Sequence, residues 1–548
     1  MPEQPGPLIV QGDRTVLLEV AHPAAARARR ELAVFAELER APEFVHSYRI
    51  TRLGLWNARA AGHPAEAVLA TLDRFAKFPV PPSLRVEVEE TMARYGRLAI
   101  ERDAEGTLLL RATDAAVLAE IRRAGKVAAL LLEQRGPLTV VVRAWARGEL
   151  KQELLKLGWP AEDRAGYTPG TPHPIALVER DWSLRRYQRE AVDAFAAAGS
   201  GVVVLPPGSG KTLVGAGAMA VVGATTLILV TNTVSARQWR SELLRRTSLT
   251  EEEIGEYSGS RKEVRPVTIA TYQILSARRG GGHAHLALLD ALDWGLIVYD
   301  EVHLLPAPVF KLTAELQARR RLGLTATLVR EDGREGDVFS LIGPKRYDAP
   351  WREIEALGHI APAHCVEVRV DLDQAARLAY AAAGDDERYR MAASAPEKIP
   401  VIRGLLRRHA GEQTLVIGQY LDQLHEVADA IDAPVLTGET PVEERERLFQ
   451  AFRDGEIGVL VVSKVANFSV DLPDATIAIQ ISGAFGSRQE EAQRLGRLLR
   501  PKADGRTATF YAIVARDTVD QDFARGRQRF LAEQGYGYTL VDAEEIAG

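Results

Sequence analysis

The sequence predicts an α/β protein: two tandem parallel-sheet units preceded by a helical N-terminal domain and a small α+β domain. Three observations carry this. From Gly201 onward, short apolar runs (GVVVLP, TTLILV, VTIAT, GLIVYD, RLGLTAT) alternate with helical stretches, the pattern of a parallel sheet covered on both faces. A second series (QTLVIGQY, APVLTG, IGVLVVS, ATIAIQIS, TATFYAIV) runs from Gln413 to Val514. A chain of 548 residues is also too long to share one core.

Residues 1–82 read as the helical domain: RELAVFAELER sets Leu32, Phe35 and Leu38 on one helical face, and Pro79, Pro81 and Pro82 end the segment. Over 83–166 the pattern turns mixed, with LAI and LTVVV as short strands and GELKQELLKLGW as a helix. Three prolines and a glycine in YTPGTPHP make 167–182 an extended linker. The first α/β unit then spans 183–348 and the second 349–548, joined near IGPKRYDAPWREIEALGHIAP.

Composition bounds the function classes. Ordinary apolar and charged fractions exclude a disordered or fibrous chain. A net charge of −5 gives no global attraction to phosphate, so a nucleic-acid surface must be a local groove. The single cysteine, Cys365, has no internal disulfide partner, which fits a reducing cytoplasm and a small buried apolar role. The N-terminus lacks the pattern of a secretory signal, and no apolar run nears the roughly 18 residues a bilayer requires. The expected location is therefore cytoplasmic. GGGHAH, Gly280–His285, lacks cysteine or acidic ligands and is expected as a mobile loop, not a metal site.

Three motifs carry chemistry. LPPGSGKT follows an apolar strand and precedes a helical pattern, the setting of a phosphate loop. Its Pro207, Gly208, Ser209, Gly210, Lys211 and Thr212 are candidates to hold ATP, with Lys211 as point charge and the Thr212 hydroxyl on Mg²⁺. Leu205 stands where the full pattern has its first glycine. GLIVYDEVH ends a buried strand with Asp300, a second Mg²⁺ ligand candidate, and Glu301, placed to polarise the attacking water. A carboxylate pair capping the next helix is the structural alternative. His303 completes a DExH arrangement. In QRLGRLLR, Arg497 and Arg500 share a helical face and are candidate arginine fingers from the second α/β unit; a solvated basic face is the alternative.

With LTATLVRED, IGPKRYDAPW, SKVANFSVDLPDA and GSRQEEAQRLGRLLR, these motifs resemble the XPB family of superfamily 2 helicases, whose α/β units are RecA-like. The resemblance covers nearly the whole chain and is most specific from Leu184 onward. It implies a 3′ to 5′ DNA helicase or double-strand translocase acting in repair, with ATP and Mg²⁺ as cofactors, DNA as partner, and a nuclease or other repair protein alongside. It implies adenine reading by Arg185 and Gln188 in LRRYQ. Coupling between nucleotide and DNA would fall to His303, Thr325, Thr327 and Gln493. DNA contact would fall to Thr271, Arg330, Glu331, Asp332, Thr437 and Ser463, the Arg330–Asp332 triplet aiding duplex separation. About 372–395 the family carries a thumb-like insertion that grips DNA; a surface helical hairpin is the alternative reading. The 83–166 domain is similar in position to a damage-recognition domain. An RNA helicase or remodelling motor would share the ATP chemistry, and a DNA-binding scaffold with an inactive ATP site is the alternative of another class.

Overall fold

The computed structural model describes residues 5–41, 44–206, 208–259, 261–279, 282–283, 285, 288–289, 291–305, 316–326, 335–349, 354, 363–463, 475–483, 507–533 and 538–547. The chain divides into two compact units. Met1–Glu37, Tyr48–Leu205 and Gly210–Ala349 make up the first; Leu38–Ser47, Pro206–Ser209 and Pro350–Gly548 make up the second. No helix among the described residues is long and apolar enough to cross a membrane.

The N-terminal segment, expected to be mostly helical, contains a four-stranded sheet beside its helices. Strands β1 (Leu8–Val10), β2 (Thr15–Glu19), β3 (Ala36–Arg40) and β4 (Val45–Ile50) align in the order β1-β2-β4-β3. The helix Ala25–Leu32 stops after Leu32, and Leu38 lies on β3. Burial then follows period two: His46, Tyr48 and Ile50 of β4 turn inward while their neighbours do not. Apolar residues three apart over so short a stretch fit a helix turn as well as strand–turn–strand, so spacing could not decide. Helix Pro82–Arg94 packs on helices Arg52–Ala60 and Ala65–Phe75, with Trp56 Nε1 donating to the Thr91 carbonyl at 2.9 Å.

A mixed segment of strands and helices follows. Strands β5 (Leu98–Arg102), β6 (Leu108–Ala112), β7 (Leu131–Gln134), β8 (Thr139–Val142) and β9 (Ala161–Asp163) form a sheet of order β7-β8-β6-β5-β9. Its core joins Leu98, Ile100, Leu110 and Val140 to Leu150 and Leu154 of helix Arg147–Lys156. The linker is extended but tightly laid down: Thr225 N–H donates to the Thr171 carbonyl, and Thr171 N–H to that of Asp293, at 2.9 and 2.8 Å. Gly170, at φ +77°, permits this, since a Cβ there would stand 2.3 Å from the Gly295 backbone.

Strands β10 (Ser200–Val204), β11 (Thr226–Val230), β12 (Ile254–Tyr257), β13 (Val267–Thr271), β16 (Leu296–Asp300), β17 (Arg320–Thr325) and β18 (Lys345–Asp348) build the first RecA-like sheet. Its order is β12-β13-β11-β16-β17-β10-β18, and its pairings are parallel. Part of GGGHAH falls in a short hairpin, β14 (Arg278–Arg279) with β15 (Gly282–His283). The second sheet holds β19 (Ala363–Val370), β20 (Thr414–Gly418), β21 (Val435–Leu436), β22 (Val459–Ser463), β23 (Ile477–Gln480), β24 (Ala508–Ala515) and β25 (Tyr538–Asp542). Its order is β21-β22-β20-β23-β24-β19-β25, again parallel. Cys365 is buried on β19. Residues 372–395 hold a helical hairpin, Gln374–Ala382 and Asp385–Ala393; no residue of its first helix is fully buried, though Ala376 and Tyr380 pack against a small core cluster, and Leu378 stays 68% exposed.

Candidate ATP site

The C-terminal edge of the first parallel sheet gathers the motifs. Leu205 leaves β10 with its N–H donating to the Thr325 carbonyl at the end of β17, at 2.9 Å. The phosphate loop then turns through two left-handed glycines, Gly208 at φ +76° and Gly210 at φ +82°. Ser209 is buried, its hydroxyl donating to the Pro206 carbonyl at 2.5 Å. Gly210 is the N-cap of helix Lys211–Val222, so Lys211 and Thr212 open that helix where unpaired N–H groups favour an anion. A Cβ on Gly210 would stand 2.5 Å from Gln188 Nε2.

Lys211, Glu301 and His303 meet beside the loop. Lys211 Nζ lies 2.9 Å from Glu301 Oε1, and Glu301 Oε2 lies 3.6 Å from His303 Nδ1. Burial would raise the Glu301 pKa, but the Lys211 ammonium and His303 prevail and hold it below the usual carboxylate value. Asp300 goes the other way: burial and the neighbouring Glu301 charge push it up to about 6. Glu301 also adopts a left-handed backbone, φ +48°, a conformation an L-residue takes only under constraint. His303 Nδ1 is 2.6 Å from the Thr325 hydroxyl, tying the DExH segment to the end of β17.

These groups fit a magnesium-bound nucleoside triphosphate. The two glycines supply left-handed backbone that side chains rarely adopt, Lys211 opens the following helix as a cation for phosphate, and two carboxylates of unequal basicity stand at the strand end. Gln188 is 2% exposed and its Oε1 accepts the Arg185 N–H at 2.9 Å, capping helix Arg186–Ala198 beside the phosphate loop. Arg185 Nη1 donates to the Tyr187 hydroxyl at 3.2 Å.

Of the other candidates, Thr271 is buried at the end of β13, and Thr437 and Ser463 are buried beyond β21 and at the end of β22. Ser463 Oγ has no hydrogen-bond partner among the described residues. Pro207, Thr327, Arg330, Glu331, Asp332, Gln493, Arg497 and Arg500 lie outside the described residues. Motif reading missed two residues that hold Asp300: Trp239 Nε1 donates to its Oδ2, and the Tyr272 hydroxyl to its carbonyl oxygen, both at 2.8 Å. Both are aromatic residues in ordinary helical stretches, with nothing local to mark them.

Comparison with known proteins identifies the family. The family model for the ERCC3/RAD25/XPB C-terminal helicase matches residues 354–547, and the model for the type III restriction enzyme res subunit matches 181–330. The model "helicase conserved C-terminal domain" matches 8–136. The "DNA 3'-5' helicase XPB" of Kineococcus radiotolerans is 67% identical, over 99% of this chain and 98% of that one. That of Mycobacterium tuberculosis is 62% identical over 99% of each. The "General transcription and DNA repair factor IIH helicase/translocase subunit XPB" of Antonospora locustae is 35% identical over 98% of this chain and 82% of its own. With identity this high over the full length, and a phosphate loop and DExH pair assembled on one sheet edge, the chain belongs to the XPB family of superfamily 2 helicases.

Proposed function

We propose that this protein is an ATP- and Mg²⁺-dependent DNA helicase or duplex translocase of 3′ to 5′ polarity, acting in DNA repair. The observation that supports it most is the phosphate-loop Lys211 held against Glu301 beside Asp300, in a chain closely similar to proteins named for that activity. Lys211 would hold the phosphates, and Thr212 and Asp300 the metal ion, which when bound neutralises charge on the transferred phosphoryl group. Glu301 would orient and deprotonate the attacking water. As described, Lys211 and Glu301 occupy each other, so binding of triphosphate must move the ammonium from carboxylate to phosphate. That exchange would release Glu301 for water, and His303, within 3.6 Å of Glu301 and 2.6 Å of the Thr325 hydroxyl, would pass the change to Thr325.

Arg497 and Arg500 are proposed as arginine fingers, Gln493 and Thr327 as coupling residues, and Arg330, Glu331 and Asp332 as the strand-separating triplet. DNA contact is assigned to Thr271, Thr437 and Ser463. The N-terminal helical domain and the 83–166 domain are proposed to target and regulate the motor, with a repair nuclease as the partner class and the cytoplasm as location.

Strand displacement on 3′-tailed, 5′-tailed and blunt DNA, with matched RNA duplexes, tests the reading. The expected result is ATP-dependent opening of 3′-tailed DNA. Opening of RNA alone, or of 5′-tailed DNA alone, would overturn it. Replacing Arg330, Glu331 and Asp332 by alanine should keep most DNA-stimulated ATPase and abolish most unwinding; equal loss of both would make the triplet structural.

A further inference from the structure

The Asp300 carboxylate is held by a residue that no motif contains. Trp239 lies on helix Thr233–Arg246, is 1% exposed, and reaches Asp300 Oδ2 with its indole N–H at 2.8 Å. The other oxygen, Oδ1, accepts the N–H of Glu301 at 3.1 Å. Below, the Tyr272 hydroxyl holds the Asp300 carbonyl at 2.8 Å. The far edge of the indole is wedged against the phosphate-loop helix: a Cβ at Gly215 would stand 2.4 Å from Trp239 Cη2, so only glycine leaves room for the ring. One rigid side chain therefore touches both the helix that begins with Lys211 and Thr212 and the carboxylate that faces them.

We propose that Trp239 is a positioning residue for the metal site: it fixes the Asp300 carboxylate so that its Oδ1 is presented to the nucleotide-bound magnesium. The argument is general. A carboxylate on two free torsions loses rotational freedom on binding an ion, and a partner that has already restricted it removes that cost. An indole N–H suits the task because it donates and never accepts, so it cannot turn to compete for the metal. Its bond to a charged oxygen is of the stronger kind, and its ring has no room to move against Gly215. The proposal rests on Asp300 being the metal ligand.

The test is Mn²⁺ binding, followed by electron paramagnetic resonance, to the full-length protein saturated with ADP. Trp239→Phe keeps the aromatic packing and removes the donor. Mn²⁺ affinity should fall about tenfold, while metal-free ADP affinity stays within about twofold. In turnover, half-saturating Mg²⁺ should rise more than kcat falls. A purely structural role would lower ADP and metal binding together with thermal stability. Asp300→Ala run in parallel should lose Mn²⁺ almost entirely. If Asp300→Ala loses the metal and Trp239→Phe does not, the Trp239 proposal is overturned alone; if neither loses it, the ligand assignment falls too. Should Trp239→Phe not fold, indole ¹⁵N–¹H spectra of the unsubstituted protein decide. One of the seven tryptophan signals should move on adding Mg·ADP and move again in Asp300→Asn. Seven unmoved signals would overturn the proposal.

Discussion

Two lysine–carboxylate pairs, one in each unit, have the same length and opposite natures. Lys211 and Glu301 meet at 2.9 Å with side chains 11% and 21% exposed, at the open edge of the first sheet. Lys398 and Asp520 also meet at 2.9 Å, but both are 1% exposed. Lys398 further donates to the Ile481 carbonyl, and Asp520 accepts the Ala515 N–H. The second pair is buried, and these partners belong to its own unit. Any change of partner there would strand a charge in a low-dielectric interior, whereas the first pair can trade its lysine to an incoming anion. Distance alone therefore does not tell an exchangeable ion pair from a trapped one; burial and the remaining bonds do.

The sharpest way to break this comparison is to remove each lysine. Lys211→Ala should reduce ATP turnover by about 10³-fold while leaving the thermal midpoint close to that of the parent. ATPase and calorimetry on one preparation check it, and a parallel fall in both would make this pair structural as well. Lys398→Met should instead leave Asp520 charged and unpaired, destabilising the second unit by about 3–5 kcal/mol in denaturant unfolding. The double change Lys398→Met with Asp520→Leu should recover most of that, and failure to recover would point to packing, not charge.

A third cluster sharpens the contrast within the first unit. Asp163 receives Arg147 at 2.7 Å and Lys151 at 2.9 Å, all three largely buried, where the α+β domain meets the first RecA-like lobe. Burial opposes ionisation of Asp163, yet Lys151 and Arg147 hold it well below the usual carboxylate range; burial, ahead of the pull of Asp163, lowers Lys151 to about 8. The signs give two windows. A depressed native Asp163 contributes stability above its unfolded pKa of about 4, which is lost as pH falls further. A depressed Lys151 means the unfolded chain holds more protons between about 8 and 10.5, so stability should rise with pH across that window. Melting curves of the parent and of Lys151→Met check this, since the alkaline rise should vanish in the variant.

Smaller effects separate coupling from stability. Thr325→Ala removes the 2.6 Å contact to His303 and should lower DNA stimulation of ATPase a few-fold with basal turnover nearly intact. Arg186→Ala breaks an exposed pair with Glu190 on the helix beside the phosphate loop and should shift neither melting nor turnover measurably.

Much of the site was legible because its chemistry is local. A phosphate loop needs glycines, a lysine and a hydroxyl within eight residues between strand and helix, and a metal carboxylate needs the end of a buried strand; both are readable as short strings. The central strands were legible for the same reason, as continuous apolar runs buried on two faces. Strands β12, β18, β19 and β25 were not: β12, β18 and β25 lie at sheet edges, where little apolar sequence is needed, and KRYD of β18 has none beyond its tyrosine, while β19, though interior, breaks its apolar run with Glu367 and Arg369.

The sequence by itself determined the ATP chemistry, the repeat of two parallel sheets and the family. Only the tertiary structure decided which charges are trapped and which are exchangeable, and what grips Asp300. Lys398 and Asp520 are 122 positions apart, and Trp239 and Asp300 are 61 apart. Partners at such separations are chosen by how strands order in a sheet and how helices pack upon it, and no spacing along the chain records that choice. In the N-terminal sheet, too, the alternation of His46, Tyr48 and Ile50 becomes a strand because one face has a core to bury against.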